Sequence, residues 1–333
     1  MSSLYITEDY AVLAKHHKRL VVKKDDKILL EIPEFKIERI LLFGKIQVTA
    51  DAIEFLLDNN IDVSFFNQYG RIKGKLVSSQ SKNIYLRIAQ YETYNDTQRR
   101  FNLAYSIVKG KIENYISFLH RYQRNHPEIN FEKEILTLQN CIKLLGNKKH
   151  ISGLLGVEGV ASAVYFKTFP KMFLNEEWKN SFSGRSKHPP KDEINSVLSL
   201  GYSLITSELW SLLEGVGFDP FVGFLHEIDY GRPSLAIDLL EEFRTTIVES
   251  VVLEMLNHKV ISKDDFEKTD QGIRMKKESL KLFFEHFDRK LNAAFNEPQT
   301  QQQISYRKLF YVQVQKLVKA VCIQQEYKPF RIL

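Results

Sequence analysis

The hydrophobic residues of the chain change their spacing near Ile84. Before that residue, short apolar runs alternate with turn-forming residues, which is typical of β-strands. Residues 19–22 and 28–32 flank an acidic turn and predict a β-hairpin. Residues 50–58 have helical spacing, and Thr49 before them is a suitable N-cap. The first part of the chain is therefore predicted to be β-rich, with a helix embedded in it.

After Ile84 the spacing becomes helical. Between Phe101 and Leu119, apolar residues recur every three or four positions, which predicts one long amphipathic helix. The same spacing predicts further helices at residues 130–145, 154–166, 193–213, 237–256, 275–295 and 306–322. The pattern favours the α+β class. It predicts a small N-terminal β-rich domain (residues 1–85), a linker (86–98) and a larger all-α domain (99–333).

Composition narrows the class of protein only slightly. Hydrophobic residues make up 44% and charged residues 26%, which is ordinary for a soluble globular chain. The net charge of +6 favours polyanionic partners, above all nucleic acid. Cys141 and Cys322 form no Cys-x-x-Cys pair, which argues against a disulfide framework or a zinc knuckle and favours a cytoplasmic protein. We also expect neither a signal peptide nor a membrane span.

Basic residues are concentrated on the long predicted helix. They are Arg99, Arg100, Lys109, Lys111, Arg121 and Arg124, against the single acid Glu113. A basic helix face can follow the phosphates of a nucleic acid, because its cations displace the counterions around them. A solvated surface face would have the same composition, so the pattern alone leaves both interpretations open.

Two residues in apolar surroundings are candidates for chemistry. Glu158 lies within the apolar segment 154–161, where an ionised carboxylate needs a cationic partner or a metal. It could equally lie at an exposed helix edge or cap a neighbouring helix. His226 follows another apolar run, where a histidine can be a metal ligand or an ordinary core or surface residue. Neither residue identifies a site by itself.

Three acids lie close together near residue 240. On a helix, Asp238, Glu241 and Glu242 are spaced i, i+3 and i+4, so they are predicted to share one face. Stacked carboxylates repel one another, so this face needs a cation. A divalent ion would suit carboxylates, and an imidazole ligand such as His226 would favour manganese over magnesium. Arg244 could neutralise part of the same charge without any metal.

Several motifs, taken together in their order and spacing, resemble the CRISPR-associated integrase, the first of the two core CRISPR adaptation proteins. In the β-rich part they are Phe43-Gly44 and the segment 61–76, which ends in Gly74-Lys75-Leu76. In the helical part they are Ala104, Lys111 and Asn114, then Gly156-Val157-Glu158-Gly159, Tyr165-Phe166, Phe182-Ser183-Gly184-Arg185, Pro189-Pro190, Asn195, Gly201-Tyr202, residues 217–226 and residues 234–244. The chain departs from the family pattern at His188 and at Thr245, neither of which touches the ligand set.

The resemblance implies which residues form the site. The metal ligands, which are also the catalytic residues, would be Glu158, His226 and Glu241. Asp238 matches a further acidic position and is assigned to support of the metal or the DNA. The expected cofactor is Mn²⁺ or Mg²⁺. The candidates for contacts with DNA phosphates are Arg185, Lys187, His188, Arg100 and Lys111.

The resemblance also implies a function and partners. The expected activity is that of a metal-dependent DNA endonuclease and integrase, which inserts new spacer DNA into a CRISPR array by 3′-hydroxyl transesterification. Its substrates would be double-stranded, single-stranded and branched DNA. The expected partners are the spacer precursor, the CRISPR repeat, a second copy bound through the β-rich domain, and the second CRISPR adaptation protein. A nuclease that does not integrate, and a DNA-binding scaffold without chemistry, remain as alternatives.

Overall fold

The chain folds into two compact units. The computed structural model describes residues 2–25, 27–77, 81, 83–186, 189–270, 272–297 and 301–332. The first unit comprises residues 1–80 and the second residues 81–333. The division thus lies before the predicted boundary at residue 85, and the predicted linker is occupied mainly by a helix, Ile84–Asn95. That helix belongs to the second unit, because its buried Gln90 side chain donates to the backbone oxygens of Asp219 and Val222, each at 2.8 Å.

The first unit is built from strands and one helix. Its elements are β1 (Ser2–Ile6), β2 (Val12–His16), β3 (Arg19–Lys24), β4 (Lys27–Pro33), β5 (Ile37–Phe43), β6 (Gln47–Val48), α1 (Ala50–Asp58), β7 (Asp62–Phe66) and β8 (Ile72–Leu76). Within the described residues they form two four-stranded sheets, in the orders β1-β5-β7-β8 and β4-β3-β2-β6. The pairs β1–β5, β5–β7 and β2–β6 are parallel, and the others are antiparallel.

One hydrophobic core holds the first unit together. Apolar residues of both sheets pack with α1, and Leu13, Ile40 and Leu56 are fully buried in it. The helix begins at Ala50 because the hydroxyl of Thr49 accepts a hydrogen bond from the backbone nitrogen of Ala52, at 3.3 Å. This confirms the predicted N-cap. The predicted hairpin is also confirmed, since β3 and β4 pair antiparallel, and β4 lies at the edge of its sheet.

The second unit is mainly helical. Its helices are α2 (Ile84–Asn95), α3 (Thr97–Asn125), α4 (Glu132–Leu145), α5 (Ile151–Thr168), α6 (Glu193–Val216), α7 (Ser234–Leu240), α8 (Ser250–Asn257), α9 (Lys277–Asn292) and α10 (Tyr306–Ile323). Two short antiparallel hairpins join them: β9 (Phe266–Thr269) with β10 (Gly272–Met275), and β11 (Ala294–Asn296) with β12 (Gln303–Ser305). The α+β class is thus confirmed, whereas the all-α description of this unit needs these two hairpins added.

Helix α3 runs through the middle of the second unit. It packs against α2, α4 and α5, and its apolar stripe is buried as predicted, including Ala104, Val108 and Tyr115. Lys111 lies in the same register as these residues and is also buried. None of the helices in the described ranges is both long enough and apolar enough to span a membrane.

The predicted single helix at residues 237–256 is interrupted. Helix α7 ends at Leu240, and α8 begins only at Ser250. Between them the backbone nitrogens of Glu241, Glu242 and Phe243 bond three residues back, and Arg244–Glu249 then form a π-helical segment. Bonds three residues back keep Asp238 and Glu241 on one side, whereas Glu242 turns away from them, so the predicted face of three acids does not form.

Candidate active site

Two of the predicted acids meet a lysine where α5, α3 and the turn after α7 approach one another. The Nζ atom of Lys111 forms an ion pair with Oε1 of Glu158 and another, at 2.6 Å, with Oε2 of Glu241. The side chains of Lys111 and Glu241 are 6% and 4% exposed, whereas that of Glu158 is 22% exposed. One turn after Glu158, the Ser162 hydroxyl donates to the same Oε1 atom at 2.7 Å. The structure therefore brings Glu158 and Glu241 together around one ammonium group.

A second cation holds the other oxygen of Glu241. The Nη2 atom of Arg244 lies 2.9 Å from Oε1 of Glu241, and its guanidinium stacks over the ring of Tyr202 at 4.5 Å. Burial alone would raise the pKa of Glu241, but the charges of Arg244 and Lys111 lower it to about 2. Burial would likewise raise the pKa of Glu158, and the charge of Lys111 lowers it. Both carboxylates are therefore ionised at neutral pH.

Asp238 fixes the position of His226. Its fully buried carboxylate accepts hydrogen bonds from the backbone nitrogens of Phe224, Leu225 and His226 at 2.6, 2.9 and 3.0 Å. The same carboxylate lies 2.7 Å from Nδ1 of His226, which leaves Nε2 for another ligand. Burial alone would lower the pKa of His226, but the bond to Asp238 raises it. A Cβ at Gly223 would lie 2.9 Å from Asp238, so glycine allows this close approach.

Whether these residues fit a metal depends on Lys111. Within the ranges that the structure describes, no three Asp, Glu, His or Cys side chains converge closely enough to hold a metal ion. Glu158 and Glu241 nevertheless face a common cation, the Lys111 ammonium, and the charge of Glu241 also acts on His226. Two carboxylates and one imidazole are a donor set suited to Mn²⁺ or Mg²⁺. The donor types therefore fit a divalent ion, and in this structure both carboxylates are paired with the Lys111 ammonium.

The third acid faces away from this group. Glu242 is fully buried and accepts hydrogen bonds from Gln313 Nε2 at 2.6 Å, from the backbone nitrogen of Phe330 at 2.8 Å, and from the Tyr327 hydroxyl. The side-chain amide of Asn114, on α3, donates to the backbone oxygens of Glu242 and Phe330, both at 3.0 Å. Glu242 therefore anchors residues 327–330 against α3 and is a structural residue rather than a metal ligand.

The residues predicted to contact DNA differ from one another in their surroundings. Lys111 directs its charge at the two glutamates, and Arg185 donates to Asn195 at 2.6 Å and to Ser199 at 3.0 Å. Arg100 forms an ion pair with Glu227 at 3.0 Å near the surface. Lys187 and His188 lie outside the described residues. Lys111, Arg185 and Arg100 are thus engaged within the protein. The partner of Arg100 is well exposed, since the Glu227 side chain is 63% exposed.

Sequence reasoning did not identify Lys111 as the partner of the acids. A signal was present, because Lys111 is spaced seven residues after Ala104 and four before Tyr115, on the buried stripe of α3. A lysine on a buried stripe needs an anionic partner nearby, and the two glutamates supply it.

Comparison with known proteins gives consistent matches over nearly the whole chain. Residues 4–289 match the family described as CRISPR associated protein Cas1. The chain is 33% identical to CRISPR-associated endonuclease Cas1 3 of Thermus thermophilus, over 99% of this chain and 97% of that protein. Its fold is similar to a casposase bound to an integration product, with a TM-score of 0.86, 25% identity, and coverage of 98% and 92% of the two chains. It is also similar to a Cas6-RT-Cas1–Cas2 complex, with a TM-score of 0.84 and 25% identity, over 100% of this chain and 36% of that one.

Proposed function

Because the chain belongs to the CRISPR-associated Cas1 family of endonucleases, we propose that it is a metal-dependent integrase that inserts spacer DNA into a CRISPR array. The observation that carries the proposal is the convergence of Glu158 and Glu241 on one cation beside a histidine held by a buried aspartate. The substrates would be double-stranded, single-stranded and branched DNA, in keeping with the similarity to a casposase bound to an integration product.

Glu158, Glu241 and Nε2 of His226 would hold the Mn²⁺ or Mg²⁺ ion. When bound, the metal would polarise the phosphate and stabilise charge on the attacking or leaving oxygen. Asp238 keeps the His226 ring oriented, and Arg244 limits the repulsion between Glu241 and the other acids. Lys111 would give up its ion pairs with both glutamates, and its ammonium group would then be free to face an anionic phosphate.

The reaction would be a transesterification. A 3′-hydroxyl oxygen of the incoming strand forms a bond to a phosphorus atom at the repeat boundary, and the bond from that phosphorus to the 3′-oxygen of the repeat strand breaks. One phosphodiester replaces another, and the hydroxyl proton ends on the released oxygen. No high-energy cofactor is required for this exchange.

A strand-transfer assay tests this proposal. With Mn²⁺, the purified chain together with the second CRISPR adaptation protein should join a labelled DNA with a 3′-hydroxyl end to a repeat-containing target. The same DNA with a 3′-deoxy end should give no joined product, because it has no attacking oxygen. Cleavage of branched DNA without any joining would favour the nuclease alternative. Binding of the DNA in Mn²⁺ with neither joining nor cleavage would favour the scaffold.

The second CRISPR adaptation protein is the proposed partner in this assembly. The support is the similarity of the chain to part of a complex that contains both Cas1 and Cas2. We also propose that two copies of the chain associate through the β-rich unit. Its edge strand β4 leaves Ile28 and Leu29 59% and 51% exposed, and Phe35 just after it is 74% exposed. An edge strand with exposed apolar residues is suited to pairing with another chain.

The homodimer is testable with one double substitution. Leu29→Asp together with Phe35→Asp should convert the dimer to a monomer, because burying two carboxylates in an apolar interface costs several kcal/mol. Size-exclusion chromatography with light scattering measures the mass. Tyr10→Asn is the matched control, since Tyr10 is a 69% exposed aromatic residue of the same unit outside β4. A double variant that stays dimeric would show that the copies meet elsewhere.

A further inference from the structure

A pocket in the second unit lies apart from the residues of the candidate active site. Its volume is about 460 Å³, within the range of sites for small ligands. It is lined by residues of α3, the π-helical segment, α8 and α9, among them Arg121, Tyr122, Thr246, Glu254, Asn257 and Lys290. Neither Glu158, His226 nor Glu241 lines it. None of the chemistry proposed above uses this pocket.

The pocket carries an excess of positive charge. Arg121 and Lys290 line it, and the Nζ atom of Lys290 lies 5.2 Å from the centre of the Tyr306 ring. Burial, and then the charge of Arg121, lower the pKa of Lys290 to about 8. Glu254 also lines the pocket, but its negative charge is partly balanced by Arg289, whose Nη1 atom lies 3.8 Å from the carboxylate. Two cations that crowd one another are stabilised by an anion placed between them.

Part of the pocket wall is rigid and aromatic. The Tyr122 ring stacks on His126 with 4.5 Å between the ring centres, and its hydroxyl donates to the backbone oxygen of Met172 at 2.7 Å. Asn257 donates to the same oxygen at 2.9 Å and accepts from the backbone nitrogen of Leu174, also at 2.9 Å. These bonds hold the wall in place before any ligand arrives, which lowers the entropic cost of binding.

We propose that this pocket binds the phosphate group of a nucleotide, with Arg121 and Lys290 as its cationic ligands. A guanidinium and an ammonium are suited to phosphate oxygens, and the pocket volume of about 460 Å³ leaves room for a flat base beside the phosphate. The nucleotide can be free in solution or be the phosphorylated end of a DNA strand, since both present the same group. The site does not depend on the proposed integrase activity.

Calorimetry with the full-length protein and 2′-deoxyadenosine 5′-monophosphate tests the site. The wild type should bind this probe, and Arg121→Gln and Lys290→Met should each weaken binding by about tenfold, as expected for loss of a charged hydrogen bond. Circular dichroism and thermal unfolding of each variant show whether it remains folded.

Arg124→Gln is the matched control, because Arg124 is an exposed arginine on the same helix, α3, that does not line the pocket. It should bind the probe as the wild type does. Equal affinity of all the folded variants for the probe would overturn the proposal. So would binding of inorganic phosphate, or of deoxyadenosine without phosphate, as tight as that of the nucleotide.

Competition then identifies the source of the nucleotide. If a 5′-phosphorylated oligonucleotide displaces the probe and its 5′-hydroxyl counterpart does not, the pocket receives a strand end. If neither displaces the probe, the pocket takes a free nucleotide. Both results require that the probe binds through Arg121 and Lys290, so both support the site.

Discussion

Replacement of Glu158 by glutamine should abolish metal-dependent strand transfer while leaving the protein folded. The amide keeps the shape of the side chain but removes the charge that a divalent ion needs, so we expect a loss of at least about a thousandfold. Lys111 keeps its ion pair with Glu241 in this variant, and Glu158 is partly exposed, so the melting temperature should change by only a few degrees. The rate of joining in Mn²⁺ and thermal unfolding are the two measurements.

Glu176→Gln is the control for this experiment. Glu176 is an 81% exposed glutamate whose ion pair with Lys179 lies on the surface of the same unit. It should join DNA at the rate of the wild type. Wild-type joining by Glu158→Gln would contradict the assignment of Glu158 as a ligand, and with it the proposed site.

Replacement of Glu241 by glutamine should abolish the same activity and also destabilise the protein. The substitution leaves Arg244 without its carboxylate partner and Lys111 with only Glu158. Breaking a buried ion pair on one side costs about 3–5 kcal/mol, because the remaining charge stays buried. The free energy of unfolding, measured by denaturant titration at neutral pH, should fall by that amount. This loss of stability should distinguish Glu241 from Glu158, because replacement of Glu158 leaves Lys111 and Arg244 both paired with Glu241.

A second substitution separates the two effects. Adding Arg244→Met to Glu241→Gln removes the cation that the first substitution leaves without its carboxylate partner, so part of the lost stability should return, whereas strand transfer should not. Glu267→Gln is the surface control, since its ion pair with Arg274 is partly exposed and should contribute less than about 1 kcal/mol. Equal stability of Glu241→Gln and Glu267→Gln would contradict the buried ion pairs.

The pH dependence of stability follows from the same pairs. The pKa of Glu241 in the folded protein is about 2, below its ordinary value of 4.5. A lowered folded-state pKa stabilises the fold at a pH above the unfolded value, and that contribution is lost as the pH falls from 4.5 towards 2. In the Glu241→Gln variant, this part of the acid-induced loss should be absent.

Sequence reasoning located the elements of the fold well where periodicity is strong. The buried stripe of α3 and the Thr49 cap both follow from local spacing, which is present in one short segment of chain. The single helix predicted at residues 237–256 is interrupted in the structure. Its backbone hydrogen bonds involve partners that are distant in sequence. Asn114 is 128 residues from the backbone oxygen that it binds at Glu242. Local spacing contains no information about such partners.

The candidate site shows the same contrast. Glu158, His226 and Glu241 were selected by resemblance to a family, and the structure brings Glu158 and Glu241 to one cation. The predicted face of three acids was wrong because of Glu242, which binds residues 327–330, whereas Asp238 and Glu241 both act on His226. Lys111 was assigned to DNA because its charge was considered with the other basic residues of α3. Its position on the apolar stripe, rather than its charge, was the better indicator of its role.

The anchoring of Glu242 has a consequence for how the protein is made. Its carboxylate is satisfied by the backbone nitrogen of Phe330, 88 residues later in the chain, and Asn114 binds the backbone of both residues. On the ribosome, Glu242 and its neighbour Glu241 therefore emerge long before the segment that holds them in place. A nascent chain therefore cannot bury Glu242 as the folded protein does, and this anchoring forms only after residues 327–330 have been made and have left the ribosome.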